Sequence, residues 1–231
     1  MFSGLVTAKS SVLEVKQSEF LFQLILKRPD SFKELKTGES LSVDGVCLTL
    51  KSFDKQSITF DLGPETLKIT QWTNEKIKNK IFNLEQSLSL QSAIGGQILT
   101  GHVDGLAVVT QIKEKGESWL LTVQIPLKFK KFIWEKGYLA LNGVSLTINK
   151  VKQLNIEICL IPETLKRTNL SLIEKGDKLN FEVDYMARSS IHAIQNTYKK
   201  LKIFFIISLF LFFVLVLFIM LLTVFLLKSS L

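Results

Sequence analysis

Residues 42–70, SVDGVCLTLKSFDKQSITFDLGPETLKIT, are written twice in this chain. The second copy lies within residues 138–168, YLALNGVSLTINKVKQLNIEICLIPETLKRT. At a constant offset of 98, Gly45 matches Gly143, Thr49 matches Thr147, Pro64 matches Pro162 and Glu65 matches Glu163. One position breaks the match: Cys47 in the first copy is Ser145 in the second. A period near 100 residues is too long for a solenoid unit and suits a small domain, so the chain reads as two tandem copies of one domain followed by a tail.

Around the duplicated stretch, short β-branched or alternating runs recur. In the first copy they occupy 11–15, 20–27, 40–43, 48–53, 57–62 and 81–85, separated by Gly, Asp, Asn and Lys clusters. The second copy repeats the order over 105–114, 119–125, 138–142, 146–152, 155–161 and 179–184. Helix-like pieces are confined to 31–35, 65–70 and 127–133. Many short strands with close turns fit closed barrels, because closure removes exposed edges. The expected fold is all-β: two similar six-stranded Greek-key barrels over 1–96 and 97–188, joined through the polar stretch 86–97, then a C-terminal helix. Residues 1–6 and 99–103 correspond, with Gly4 matching Gly101, so Phe2 is assigned to the first domain.

The net charge of +8 is concentrated in the tail. From residue 187 onward Arg188, Lys199, Lys200, Lys202 and Lys228 contribute +5 with no acid, leaving +3 for both domains. No basic stripe interleaved with aromatics is present in the body, which argues against a nucleic-acid partner. Two cysteines, Cys47 and Cys159, occupy unmatched positions and cannot form a disulfide framework. The opening MFSGLVTAKSS lacks a basic segment and a long apolar run, so no signal peptide is expected.

Together MFSGLV, DGVCLTL, FDLGPETLKIT, GGQILTGHVDG, LNGVSLTI and LIPETLKRTNL resemble the riboflavin synthase family, trimeric enzymes built from two lumazine-binding barrels. The resemblance covers residues 1–190. It implies a dismutation: one 6,7-dimethyl-8-ribityllumazine donates a four-carbon unit to another, without metal or organic cofactor. Each barrel would bind one lumazine, and the active site would lie between the first barrel of one subunit and the second of its neighbour. It further implies that the rings are gripped by backbone of Cys47, Leu48 and Thr49 and of Ser145, Leu146 and Thr147. The turns Gly4, Leu5, Val6 and Gly101, His102, Val103 would close over them. The ribityl chains would meet Asp61, Leu62, Gly63, Pro64, Glu65 and Thr66 in one copy and Leu160, Ile161, Pro162, Glu163 and Thr164 in the other, with Lys136 reaching in from the second barrel.

Roles in chemistry fall to His102, possessing no histidine partner in the repeat since Leu5 stands there, and to Cys47, Ser145 and Thr147. Phe2, Ser40 and Asp184 also match family positions near the reacting rings. Each has a plainer reading: His102 as a surface histidine, Cys47 as a small buried hydrophobe, Phe2 as core packing and Asp184 as an end-of-strand carboxylate. The chain departs from the family pattern at Gln97, where histidine is usual after the two glycines, and at Gln86, where a basic residue is more frequent. A non-catalytic lumazine or flavin carrier on the same barrels, or a membrane-tethered scaffold, are the alternative functions.

The tail carries two further expectations. Residues 189–202 read as a helix with Ile191, Ile194, Tyr198 and Leu201 on one stripe, where the family places its trimer-forming helix. Residues 203–227 contain only Ser208 and Thr223 as polar side chains, so a transmembrane helix is expected. Lys199, Lys200 and Lys202 before it and Lys228 after it would place the enzyme on the cytoplasmic face of a membrane.

Overall fold

The computed structural model describes residues 1–19 and 21–229, and side chains among these except 199, 217–219 and 221–229. The first barrel comprises β1 (Ala8–Gln17), β2 (Phe22–Lys27), β3 (Ser40–Val43), β4 (Val46–Phe53), β5 (Ser57–Leu62) and β6 (Ile81–Gln86), closed in the order β1-β2-β5-β4-β3-β6. The second comprises β7 (Gly105–Lys115), β8 (Ser118–Gln124), β9 (Tyr138–Leu141), β10 (Val144–Lys152), β11 (Asn155–Leu160) and β12 (Lys178–Val183), with the same cyclic order. All neighbouring strands are antiparallel, and β2 lies beside β5 while β6 closes on β1, the crossing pattern of a Greek key. Phe20, the expected start of the second strand, lies outside the described residues.

Period-two alternation sets which residues fill each barrel. Val46, Leu48 and Leu50 of β4 are buried in the first core, and Val144, Leu146 and Ile148 of β10 in the second. Cys47 and Thr49, with Ser145 and Thr147, therefore stand on the outer walls.

The β3–β4 and β9–β10 hairpins turn through Asp44-Gly45 and Asn142-Gly143, whose φ values of 46°, 80°, 45° and 76° are those of type I′ turns. The two turns meet back to back: a Cβ added to Gly45 would lie 2.8 Å from Gly143 N. Around this contact sits a buried polar network. Asn169 Nδ2 donates to Asp44 Oδ1 (2.8 Å), Asn83 Nδ2 to Asn169 Oδ1 (2.8 Å) and Asn180 Nδ2 to Asp44 O (2.9 Å). Lys80 Nζ is 2.8 Å from the fully buried Asp44 carboxylate. Burial pushes the Asp44 carboxyl up, opposed by the Lys80 charge and by hydrogen bonds from Lys80, Asn83 and Asn169. These bonds join the two barrels into one body, because Asn83 belongs to the first and Asn169 and Asn180 to the second.

Helix is sparse in the barrels, as expected, and the pieces expected over 65–70 and 127–133 form, the second as a 3₁₀ helix. Helices α1 (Pro64–Thr70) and α3 (Pro162–Arg167) begin on the paired prolines, where a missing N–H costs nothing. Helix α2 (Asn74–Ile77) was not expected; residues 127–132 are a 3₁₀ helix, and another spans Asn169–Leu172. The helix expected over 31–35 does not form. The Arg28 guanidinium takes the carbonyls of Phe32 and Lys33, while Phe32 and Leu35 anchor the segment in the barrel core.

Helix α4 (Tyr185–Ser229) runs continuously through the two segments expected separately in the tail. Residues 1–187 and 188–231 form distinct units. The expected transmembrane helix over 203–227 is corrected: among the described residues no helix is long and apolar enough to cross a membrane. Its side chains are described continuously over 203–216. The remainder, 217–219 and 221–227, lies outside the described side chains. The expected placement at the cytoplasmic face of a membrane falls with it, and the membrane as a partner is left without support among the described residues.

Candidate active site

The outer wall of β4 carries a cavity of about 260 Å³ lined by Val46, Cys47, Glu65, Thr66, Ile69, Thr70, Gly101, His102 and Val103. It gathers six of the residues expected in the site. The wall and the α1 side chains come from the first barrel, whereas Gly101, His102 and Val103 arrive on the segment leading into the second. Cys47 N donates to Gly101 O at 2.9 Å, and Val103 packs against the first barrel's core.

The same arrangement is made in reverse on the second barrel. Ser145 N donates to Gly4 O at 2.9 Å, and Val6 packs against the second core. A Cβ added to Gly4 would lie 2.6 Å from Ser145 Cβ, and one added to Gly101 would lie 2.5 Å from Cys47 Cβ. Each glycine is therefore required twice over, by this approach and by φ of +76° or +78°. Leu5 and His102 occupy equivalent exposed positions beyond the turns. Between the two walls, Phe2, Leu99 and Ala140 form a small buried cluster against Cys47, with Phe2 and Leu99 exchanging backbone hydrogen bonds of 2.8 and 2.9 Å. Phe2 thus belongs to the junction of the barrels rather than to the first alone.

Two glutamates that the sequence reading overlooked hold these turns. Glu85 Oε1 accepts from Ser3 N and Ser3 Oγ, both at 2.7 Å, and its Oε2 from Gly4 N at 3.0 Å. Glu182 accepts from Thr100 N (2.8 Å), Thr100 Oγ1 (2.7 Å) and Gly101 N (3.0 Å) in the same way. Both are buried. The signal was available in the repeat, as Asn83-Leu84-Glu85 against Asn180-Phe181-Glu182. Each carboxylate extends from one barrel and fixes the turn that lies on the other.

Burial raises the Glu85 carboxyl above its ordinary value of 4.5, against the pull of the Ser3 and Gly4 donors. A folded pKa above the unfolded one means that the native state holds the proton more tightly. The stability linked to Glu85 is then fully present below the unfolded value and is lost as pH rises through the folded value. The melting temperature of the wild type relative to Glu85→Gln should accordingly fall between acid and neutral pH; a difference constant with pH would contradict this.

The other expected residues are distributed as follows. Ser40 is half-buried opposite the exposed Thr49, and Thr147 lies opposite Tyr138 on the second wall. The Leu48, Leu146, Leu62 and Leu160 side chains point into the cores, so only their backbone faces a wall. Gly63, Pro64, Ile161 and Pro162 are exposed at the starts of α1 and α3. Asp61 is paired with Lys51 at 2.7 Å, and this bond holds its carboxyl below the usual range. Glu163 is paired with Arg167, which lowers it likewise; Thr164, half-buried, accepts from Thr168 Oγ1 through its carbonyl at 2.7 Å. Asp184 Oδ1 accepts from Met186 N at 2.8 Å at the start of α4. Lys136 is exposed with φ +66°, in a turn where the first copy has Gly38. Larger hollows near Lys9 and Arg28, and near Lys76, Asn169 and Lys178, contain none of the expected residues.

The lumazine binding domain model matches this chain twice, over residues 3–87 and 100–184, one match per barrel. The chain is 35% identical to riboflavin synthase of Chlamydia pneumoniae, over 84% of this chain and 96% of the relative. It is 33% identical to that of Photobacterium leiognathi (81% and 86%) and 32% identical to that of Bacillus subtilis (81% and 87%). Among solved structures, LumP complexed with riboflavin superposes with a TM-score of 0.73 at 24% identity, covering 79% of this chain and 99% of that one, a likeness of fold. The doubled domain match and these long alignments lead to one conclusion: the chain belongs to the riboflavin synthase family.

Proposed function

We propose that this chain is a riboflavin synthase, a transferase that converts two molecules of 6,7-dimethyl-8-ribityllumazine into riboflavin and 5-amino-6-(D-ribitylamino)uracil. The observation that carries the reading is the paired construction of the walls. Cys47 under the Gly101 turn and Ser145 under the Gly4 turn are built alike, yet one wall carries a thiol and an imidazole where the other carries a hydroxyl and Leu5. Two similar sites suit two identical substrates, and unequal side chains suit donor and acceptor roles.

Holding the two rings together would supply up to about 7 to 11 kcal/mol through placement alone. In this reading His102 moves the proton of the substrate's acidic 7-methyl group. Cys47 and Ser145, with Thr49 and Thr147 farther along each wall, position the ring or water at its electrophilic carbon. Glu65, Thr66, Glu163 and Thr164 receive the ribityl hydroxyls. The 260 Å³ cavity is at the small end for a ligand of this size, so part of it would meet a facing surface. This supports the homotrimer in which neighbouring first and second barrels share a site, and a solution mass of three chains would test it. We assign the domains as 1–96 and 97–188, with 189–202 as the trimer-forming segment.

Lys136 is part of the same reading. A lysine kept at φ +66° where glycine would be unstrained points to a use for its side chain. Lys136→Gly is expected to hold or raise stability, by up to about 1 kcal/mol, while KM for the lumazine increases several-fold. Equal KM values would remove Lys136 from the site.

Incubating the full chain with dimethylribityllumazine tests the function. Green-yellow riboflavin fluorescence should appear without added cofactor. Lumazine bound but unchanged would identify a carrier, and no binding would contradict both.

A further inference from the structure

Gln97 is buried, with 5% of its surface exposed, and its environment is tightly determined. Its N–H donates to Ser3 O at 3.0 Å. The preceding glycines allow the segment to pass: a Cβ on Gly96 would meet Ser3 O at 2.2 Å and Ser145 Oγ at 3.3 Å, and one on Gly95 would meet Leu5 Cδ1 at 2.7 Å. This path brings the carboxamide beneath the second wall, where Ser145 Oγ donates to Gln97 Oε1 at 3.1 Å. The Gln97 Nε2 is buried and has no hydrogen-bond partner among the described residues. An unpaired buried amide lowers stability, so an apolar side chain of similar size would suit packing better.

We propose that Gln97 is a positioning residue for the second site. By accepting a hydrogen bond from the Ser145 hydroxyl, it turns the free lone pairs of Oγ toward the ligand side, so Ser145 meets the substrate as a hydrogen-bond acceptor. The chemistry that complements it is a donor, a ring N–H or a positioned water. This proposal rests on the reading of the Ser145 wall as a lumazine site. It sharpens the difference between the walls: the second presents an oriented acceptor, and the first presents His102 and the Cys47 thiol.

The test compares full-length Gln97→Leu, Gln97→Glu, Ser145→Ala and the Gln97→Leu/Ser145→Ala double variant in kcat, KM and melting temperature. Gln97→Leu should lower kcat about tenfold with a melting temperature equal to or above wild type, since it removes an unpaired amide. Gln97→Glu keeps an acceptor oxygen and should stay within about threefold of wild type in kcat. The double variant should be no slower than Ser145→Ala alone. A Gln97→Leu enzyme within about twofold of wild type, a Gln97→Glu enzyme as slow as Gln97→Leu, or a double variant slowed by the product of the single effects would overturn the proposal. If the wild type makes no riboflavin, the functional reading fails separately. The same four variants are then compared in lumazine affinity, where non-additivity supports the coupling and additivity overturns it.

Discussion

Gly101→Ala is expected to reduce turnover by about two orders of magnitude, because a displacement near 1 Å at a reacting site has that effect. The new Cβ would stand 2.5 Å from Cys47 Cβ and 2.8 Å from Cys47 N, at φ +78°. The turn would have to lift from the wall, breaking the 2.9 Å bond from Cys47 N to Gly101 O and carrying His102 and Val103 with it. Left-handed strain and overpacking together should cost about 2 to 4 kcal/mol, within what a domain of this size can lose. Gly116→Ala is the matched control, with φ +62° but nothing within 4 Å of the added atom. It should lose only the strain, about 1 to 2 kcal/mol, and keep its activity. Equal activities of the two variants would contradict the close-packed turn as the reason for Gly101.

His102→Gln is expected to lower kcat by about a hundredfold or more, the usual share of a general acid or base. The substitution keeps a hydrogen-bonding group of similar reach and removes the capacity to exchange a proton. The fold should not change, because His102 is exposed and its equivalent is Leu5, while the backbone bond from His102 N to Thr100 Oγ1 (3.2 Å) does not involve the ring. Turnover within about twofold of wild type would leave His102 as a surface histidine.

Much of this was legible in the repeat. Alternation in 46–50 and 144–148 is present in the sequence, and the outward placement of Cys47 and Ser145 follows from that period, although the expected runs began only at 48 and 146. The Asp44-Gly45 and Asn142-Gly143 pairs carry a hairpin-turn signal that the expected segments did not use. The exchange of segments was not legible: a repeat shows that Gly4 corresponds to Gly101, but not that each lies on the other barrel. That depends on buried carboxylates acting through space, 81 or 82 residues from their partners. Charged residues such as Glu85 and Glu182 also read as surface in a strand until their donors are seen. Residues 31–35 misled because the Arg28 guanidinium captures local carbonyls, a contact that propensity does not contain. In the tail, hydropathy alone suggested a span that the described helix does not support.

The central claim is that two alike walls on one chain handle two identical substrates in unequal roles. Product stoichiometry from the full chain tests it most directly. With dimethylribityllumazine as the sole substrate, each riboflavin formed should consume two lumazines and release one 5-amino-6-(D-ribitylamino)uracil. Lumazine that remains unconverted on a chain saturated with ligand, or riboflavin formed without the uracil product, would contradict it.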